Sequence, residues 1–172
     1  TGYDRGHLAP AGDMAFSTEA MSESFYMSNI SPQIKNFNGG IWRELEENVR
    51  DWAMKFENIY IVTGPVLTRG VREKIGSNEV SVPDEFYKVI LDYSEPEIKG
   101  IAFIIPNEIS NSKIEDFAIS ISKVEQITGI NFFHEFYDEQ TEAVIENSFD
   151  LSLWSFDDKR HELRVNNWNK RK

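Results

Sequence analysis

Two stripes at helical spacing run from about Asn38 to Phe56, and they leave that stretch little choice of conformation. Ile41, Leu45, Val49, Trp52 and Phe56 recur at intervals of four, four, three and four, the pattern of a helix with one face on a core. Asn38, Trp42, Glu46 and Arg50 recur every four, so an amide, an indole, a carboxylate and a guanidinium would stack as one column beside that apolar face. Gly39 and Gly40 sit poorly inside a helix and put Asn38 at its beginning. Packing alone does not call for the polar column, which makes it the place to look for chemistry. Taken singly its members have ordinary readings: Asn38 caps the helix, and Glu46 with Arg50 forms an exposed i,i+4 ion pair.

The remaining patterns place this helix in an α+β domain built on a mainly antiparallel sheet with flanking helices. Leu8 to Ser24 reads as loop, with a short helix near Thr18–Ser22. Phe25-Tyr26-Met27 is a short apolar run suited to a strand. Ile59 to Val66 is β-branched and aromatic and is stopped at Gly64-Pro65, the signature of a buried strand. Leu67 to Asn78 reads as a loop with a basic cluster, Arg69, Arg72 and Lys74. Strand patterns follow at Phe86–Tyr93 and Gly100–Pro106, joined by a turn at Ser94–Glu97, and a short one at Phe117–Ile121. Ser122 and Glu125 have capping-box spacing for a brief helix that Gly129 ends. Phe132, Phe133, Phe136 and Tyr137 look like an aromatic anchor under the core. Residues 138–172 turn polar and charged and read as a loosely ordered tail.

A chain of 172 residues with 40% hydrophobic content suffices for one domain with a real core, residues 1–172. No window approaches the roughly 18 apolar residues of a membrane span, and no targeting segment is visible. The first residue is Thr1, three residues before the most distinctive motif, so an upstream segment is expected to be missing. Cysteine is absent, which removes disulfides, thiolate nucleophiles and thiolate metal sites. The formal charge of −11 opposes a polyanionic partner at long range unless local charge outweighs it.

The chain holds three histidines, His7, His134 and His161, and histidine is the side chain best suited to act as a base near neutrality. His161 lies in a charged stretch (DDKRHELR) and reads as solvated. His134, between Phe133 and Glu135, reads as a packing residue. His7 stands apart, preceded by Asp4-Arg5-Gly6, where Gly6 would permit close backbone approach to a ligand. An ordinary turn held by an ion pair is the plain alternative. Jointly, Asn38 offers an amide oxygen to a hard cation, Glu46 can accept from its water, Arg5 and Arg50 can grip a phosphate, and neutral His7 can take a proton from water. These are the parts of metal-assisted phosphodiester hydrolysis. Zinc fits poorly without cysteine or a suitably spaced histidine pair.

Asp4-Arg5-Gly6-His7, then Tyr26 to Gln33 (YMSNISPQ), then Asn38-Gly39-Gly40-Ile41-Trp42 with Leu45-Glu46 and Arg50, resembles the DNA/RNA non-specific endonuclease family. The likeness continues through Val62–Pro65 and more loosely through Phe86–Lys88, Thr128-Gly129 and Phe132-Phe133, to about Phe133. It implies a ββα-metal (His-Me finger) site beside an antiparallel sheet, and a Mg²⁺-dependent endonuclease acting on DNA and RNA, with Mn²⁺ as a substitute ion. By the same analogy His7 is the general base and Asn38 the metal ligand. Glu46 orders the ion's water, Arg50 and Arg5 bind the scissile phosphate, and Asn29 and Asp4 support. The products would carry 5′-phosphate and 3′-hydroxyl ends. Arg43, Arg69, Arg72 and Lys74 are the candidates for a positive nucleic-acid groove. Members carry a segment before the DRGH motif that contributes strands, here expected to be absent. The analogy permits a homodimer and a secreted or periplasmic home. Two other readings stay open: a non-catalytic binding module on the same scaffold, and a phosphodiesterase acting on smaller substrates.

Overall fold

The computed structural model describes residues 2–136 and 138–170. Tyr137, expected in the aromatic anchor, and Arg171 and Lys172, expected in the tail, lie outside the described residues. The chain opens with β1 (Asp4–His7), which pairs antiparallel with β2 (Ile30–Gln33) in a register running from Asp4↔Gln33 to His7↔Ile30. The excursion between them holds α1 (Thr18–Glu23), where the Ser17 hydroxyl accepts from the Ala20 amide at 3.0 Å, an N-cap. Phe25, Tyr26 and Met27, expected as a strand, form instead a turn leading into a 3-10 turn at Met27–Asn29, with 55%, 62% and 66% of their surface exposed. Three apolar residues are too few to hold a strand where no neighbouring strand offers hydrogen bonds.

A π-helical turn, Phe37–Trp42, leads into α2 (Arg43–Phe56). Gly40 departs from helical geometry there (φ −112°, ψ −113°), as the paired glycines suggested. The apolar stripe is buried as its spacing demanded: Ile41, Leu45 and Trp52 are 0% exposed and Val49 3%. The four-residue column, however, is not continuous. The π turn adds a residue to the helical repeat and sends Trp42 into the core, stacked on Phe37 and tilted against Phe86. With β1 and β2 ahead of it, α2 completes a ββα arrangement.

The sheet follows: β3 (Ile59–Pro65), β4 (Val71–Ile75), β5 (Val80–Pro83), β6 (Glu85–Asp92), β7 (Lys99–Pro106) and β8 (Ala118–Ile119). Strands β3-β6-β7-β8 form one antiparallel sheet in that order, and β4-β5 a separate ribbon. The α+β class with an antiparallel sheet is therefore the one observed. β6 and β7 are buried almost throughout. β3 is not the buried strand expected of it: it lies at the sheet's edge, with Tyr60 and Ile61 44% and 40% exposed. Its apolar composition marks a strand but carries no information about how many neighbours it has. The loop expected at 67–78 is partly strand β4, whose Val71 and Ile75 alternate with exposed charges.

α3 (Ile121–Thr128) starts two residues earlier than the Ser122 spacing implied. Ser120 caps it, and Gly129 ends it in the left-handed region at φ 74°. Phe132 is buried against Tyr87, and Phe136 packs on Tyr60 and Tyr93. The 138–172 segment is not a loose tail where it is described. It forms α4 (Glu139–Asn147) and α5 (Asp158–Asn166), and it buries Trp154 (2% exposed), Arg164 (0%) and Trp168 (5%). Its anchors are few and widely spaced among polar residues, so no periodic stripe announces them. His134 and His161 also differ from expectation: His134 is exposed, and His161 is half-buried with Nδ1 2.9 Å from an Arg164 nitrogen. No described helix is long and apolar enough to cross a membrane.

Candidate active site

His7 ends β1, and its ring meets Phe25 edge-on at 4.6 Å. Burial lowers its pKa from 6.5 and keeps the imidazole neutral. Nε2 is shut off from solvent without a hydrogen-bond partner, the kind of orphaned polar atom that calls for a reason. Arg5, two residues earlier, projects to the same face of the ribbon and lines a groove with Met27, Pro32 and Ile75. Asp4 turns the other way, and its Oδ2 accepts from Asn38 Nδ2 at 3.0 Å. That bond ties the ribbon to the π turn and leaves Asn38 Oδ1 on the opposite edge of the amide. Gly6 serves packing rather than ligand approach: a Cβ there would lie 2.1 Å from the Gln33 side chain.

Asn29 holds the loop after His7 in place. Its Oδ1 accepts from the Ala9 amide at 2.9 Å, while Nδ2 donates to the carbonyls of Ala9 (2.9 Å) and Ser24 (2.8 Å). Behind this loop lies a cavity of about 530 Å³, with Leu8, Pro10 and Val49 on its walls and Asp13, Glu46 and Lys88 as its charged groups. Burial raises the Glu46 carboxyl to about 7, against the opposing pull of Lys88 and Arg50. Burial likewise lowers Lys88 to about 8, against the pull of Glu46 and Asp13.

Lys88 was missed as a site residue. It is 2% exposed, donates to Thr63 Oγ1 at 2.7 Å, and stands 5.0 Å from the centre of the Trp42 ring. Its signal was present: a lysine in the middle of an otherwise apolar strand run, FYKVILDY, has no packing reason to be there.

Arg50 is engaged by Asp13 (Nε–Oδ1 2.5 Å), with its guanidinium over Gly12. The groove candidates are likewise paired with carboxylates: Arg43 with Glu47 at 2.8 Å, Arg69 with Glu85 at 3.0 Å, Arg72 with Asp84 at 3.3 Å and Lys74 with Glu79 at 3.6 Å. The site thus brings together Asp4 and Asn38, and separately Glu46, Lys88, Asp13 and Arg50. Arg69, Arg72 and Lys74 stay on the β4–β5 ribbon and its approach.

Residues 1–139 match the family described as DNA/RNA non-specific endonuclease. The chain is 39% identical over 147 residues to the mitochondrial nuclease EXOG of Xenopus laevis, covering 77% of this chain and 41% of that protein. It is 38% identical to nuclease C1 of Cunninghamella echinulata (77% and 58% covered) and 33% to mitochondrial endonuclease G of Homo sapiens (77% and 48%). The chain thus spans about half the length of the curated relatives it matches. In three dimensions it is similar to a chain of an EndoG/EndoGI complex, with a TM-score of 0.73 at 36% identity over 80% of this chain and 61% of the other. On the extent of these matches, and on the ββα arrangement they share with an antiparallel sheet, the chain belongs to the DNA/RNA non-specific endonuclease family.

Proposed function

We propose that the chain hydrolyses phosphodiester bonds of DNA and RNA, with His7 as general base and a single Mg²⁺ held by Asn38. The observation that carries this reading is the His7 imidazole: burial favours its neutral form, neither ring nitrogen is hydrogen-bonded, and of the two only Nε2 is enclosed. A base must be unprotonated and unengaged before it can take a proton. His7 Nδ1, the ring nitrogen that is not enclosed, accepts a proton from the attacking water as that water's oxygen bonds to phosphorus. The bond from phosphorus to the 3′ oxygen then breaks, leaving 5′-phosphate and 3′-hydroxyl ends. Arg5, on the same face as His7, binds a non-bridging phosphate oxygen. Arg50 joins it by exchanging Asp13 for the substrate.

The donor set fits Mg²⁺. Among the described residues no group of three or more His, Cys, Asp or Glu side chains converges as a metal cage. One amide oxygen completed by water and phosphate oxygens suits Mg²⁺, and Mn²⁺ in its place, far better than zinc. When bound, the ion supplies Lewis-acid stabilisation of the phosphate and leaving oxygen. Asp4 fixes the Asn38 amide for that role, and Glu46 accepts from water nearby, its charge supported by Lys88.

One observation favours a second reading, a phosphodiesterase acting on smaller substrates or a weakly catalytic binding module. Arg43, Arg69, Arg72 and Lys74 are all paired with carboxylates, so little free positive charge remains to hold a long polyanion. Plasmid nicking with and without EDTA, run beside a chromogenic aryl phosphodiester, separates the readings. EDTA-sensitive nicking supports the nuclease. Turnover of the aryl ester alone, or of neither substrate, overturns it.

A further inference from the structure

The C-terminal segment lies beyond residue 139, where the family match ends, yet it runs antiparallel along the whole of α2 and its π turn. Trp154 packs edge-on against Trp52 at 4.9 Å and Phe56 at 5.5 Å, at the far end of the helix. One step back, Arg160 reaches Asn48 Oδ1 at 2.9 Å and Asp51 at 2.8 Å. Arg164, fully buried, bonds to buried Glu44 and donates to the Ser112 carbonyl at 2.6 Å. The Arg43 guanidinium lies 4.0 Å over the Trp168 ring. Asn169 arrives at the π turn itself. Its backbone carbonyl accepts from Asn36 Nδ2 at 3.3 Å, and its Nδ2 donates to the Ser110 carbonyl and Asn111 Oδ1 at 2.8 and 2.9 Å. Its buried, unpartnered Oδ1 sits where a Cβ on Gly40 would come within 2.8 Å.

The turn so held carries Asn38. The π turn interrupts the regular helical repeat and Gly40 within it has non-helical geometry, so what packs against Gly40 bears on the shape of the turn. From this geometry we infer that residues 150–170 form a strap whose last contact, Asn169 against Asn36 and Gly40, is a positioning element for Asn38. Asp4 holds the amide from the ribbon side, and Asn169 holds the turn beneath it from the other. The inference rests on the reading of Asn38 as the ion's ligand.

Asn36→Ala, which removes the bond to the Asn169 carbonyl, and independently Asn169→Ala, which frees Gly40 of the Asn169 side chain and releases that side chain from Ser110 and Asn111, test it, with Mn²⁺ binding followed by electron paramagnetic resonance and Mg²⁺ by competition. Arg160→Met is the control, because Arg160 grips the middle of α2 and should affect only Tm. Metal binding is expected to weaken about tenfold in the two asparagine variants, the low end of what outer-shell partners contribute, and to be unchanged in Arg160→Met. Unaltered Mn²⁺ binding in both asparagine variants, in a protein that binds Mn²⁺ and nicks plasmid, overturns the strap's role and leaves the nuclease reading intact. Equal weakening in Arg160→Met reduces the strap to general stability and also overturns the role. A native chain that does not bind Mn²⁺ overturns the nuclease reading, and the inference with it.

Discussion

His7 and Glu46 are both shifted by burial toward their neutral forms, with opposite consequences for the pH dependence of stability. Because the folded pKa of His7 lies below 6.5, the fold loses stability as pH falls from 6.5 through that lowered value, where only the unfolded chain accepts the proton readily. The imidazole therefore stays neutral, and in the proposed role of His7 as base cleavage should persist somewhat below pH 6.5 before falling. His7→Ala should lower cleavage by about 10²–10⁴-fold with circular dichroism unchanged. Ordinary turnover by that variant would remove His7 from the mechanism.

Glu46, raised to about 7, costs stability as pH climbs from 4.5 through 7, because the fold resists ionising it. That value already includes the attraction of Lys88 and Arg50, so the cost is fully present above 7. Above 8 Lys88, which titrates near 8, is neutral, and Arg50 is the counter-charge that remains. Glu46→Gln should therefore raise Tm relative to the native chain above pH 8, match it below pH 4.5, and cleave poorly throughout. Tm scans against pH check this directly, and a lower Tm above pH 8 would contradict it. Gly6→Ala should destabilise by about 1–3 kcal/mol through overpacking against Gln33, read from urea midpoints.

Among the elements, α2 is where pattern and structure agree best, and the reason is physical. A helix advertises its buried face at fixed intervals, and the stripe from Ile41 to Phe56 had enough repeats to be unambiguous. β6 and β7 were legible for a similar reason, as apolar runs bounded by turn residues. The β4–β5 ribbon was not, because a solvent-facing two-stranded ribbon needs few apolar residues. The C-terminal strap escaped because each of its anchors is a single side chain. Arg164 is the extreme case: an arginine in a charged stretch, buried because Glu44 lies opposite and the carbonyls of Ser110 and Ser112 accept its remaining protons. Arg164→Ala would leave that carboxylate buried and unpaired, costing about 3–5 kcal/mol, and adding Glu44→Gln should recover part of the loss in chemical denaturation. Of the candidate site, His7, Asn38 and Glu46 stand out in the sequence through spacing and motif. Lys88 was hidden because a strand pattern reads its apolar neighbours first, and the ion pairing of Arg43, Arg69, Arg72 and Lys74 because their partners are remote in sequence or simply acidic neighbours.

For the molecule as a whole, a net charge of −11 and the ion pairing of Arg43, Arg69, Arg72 and Lys74 imply that the proposed nucleic-acid substrate is held by few phosphate contacts. If Arg5 and Arg50 are the main ones, log affinity should fall with log salt at a slope of about −2, measured by fluorescence anisotropy on an inactive His7→Ala chain. A slope several times steeper would require a basic surface not seen among these ion pairs. The position of β3 at the rim of the sheet has a consequence of another kind. Successive backbone amides along a strand point to opposite sides, so only those directed at β6 have partners there. Transferred to heavy water, β3 should take up deuterium at every second residue within seconds to minutes while β6 and β7 remain protonated, a striped record of which flank of the sheet stands open.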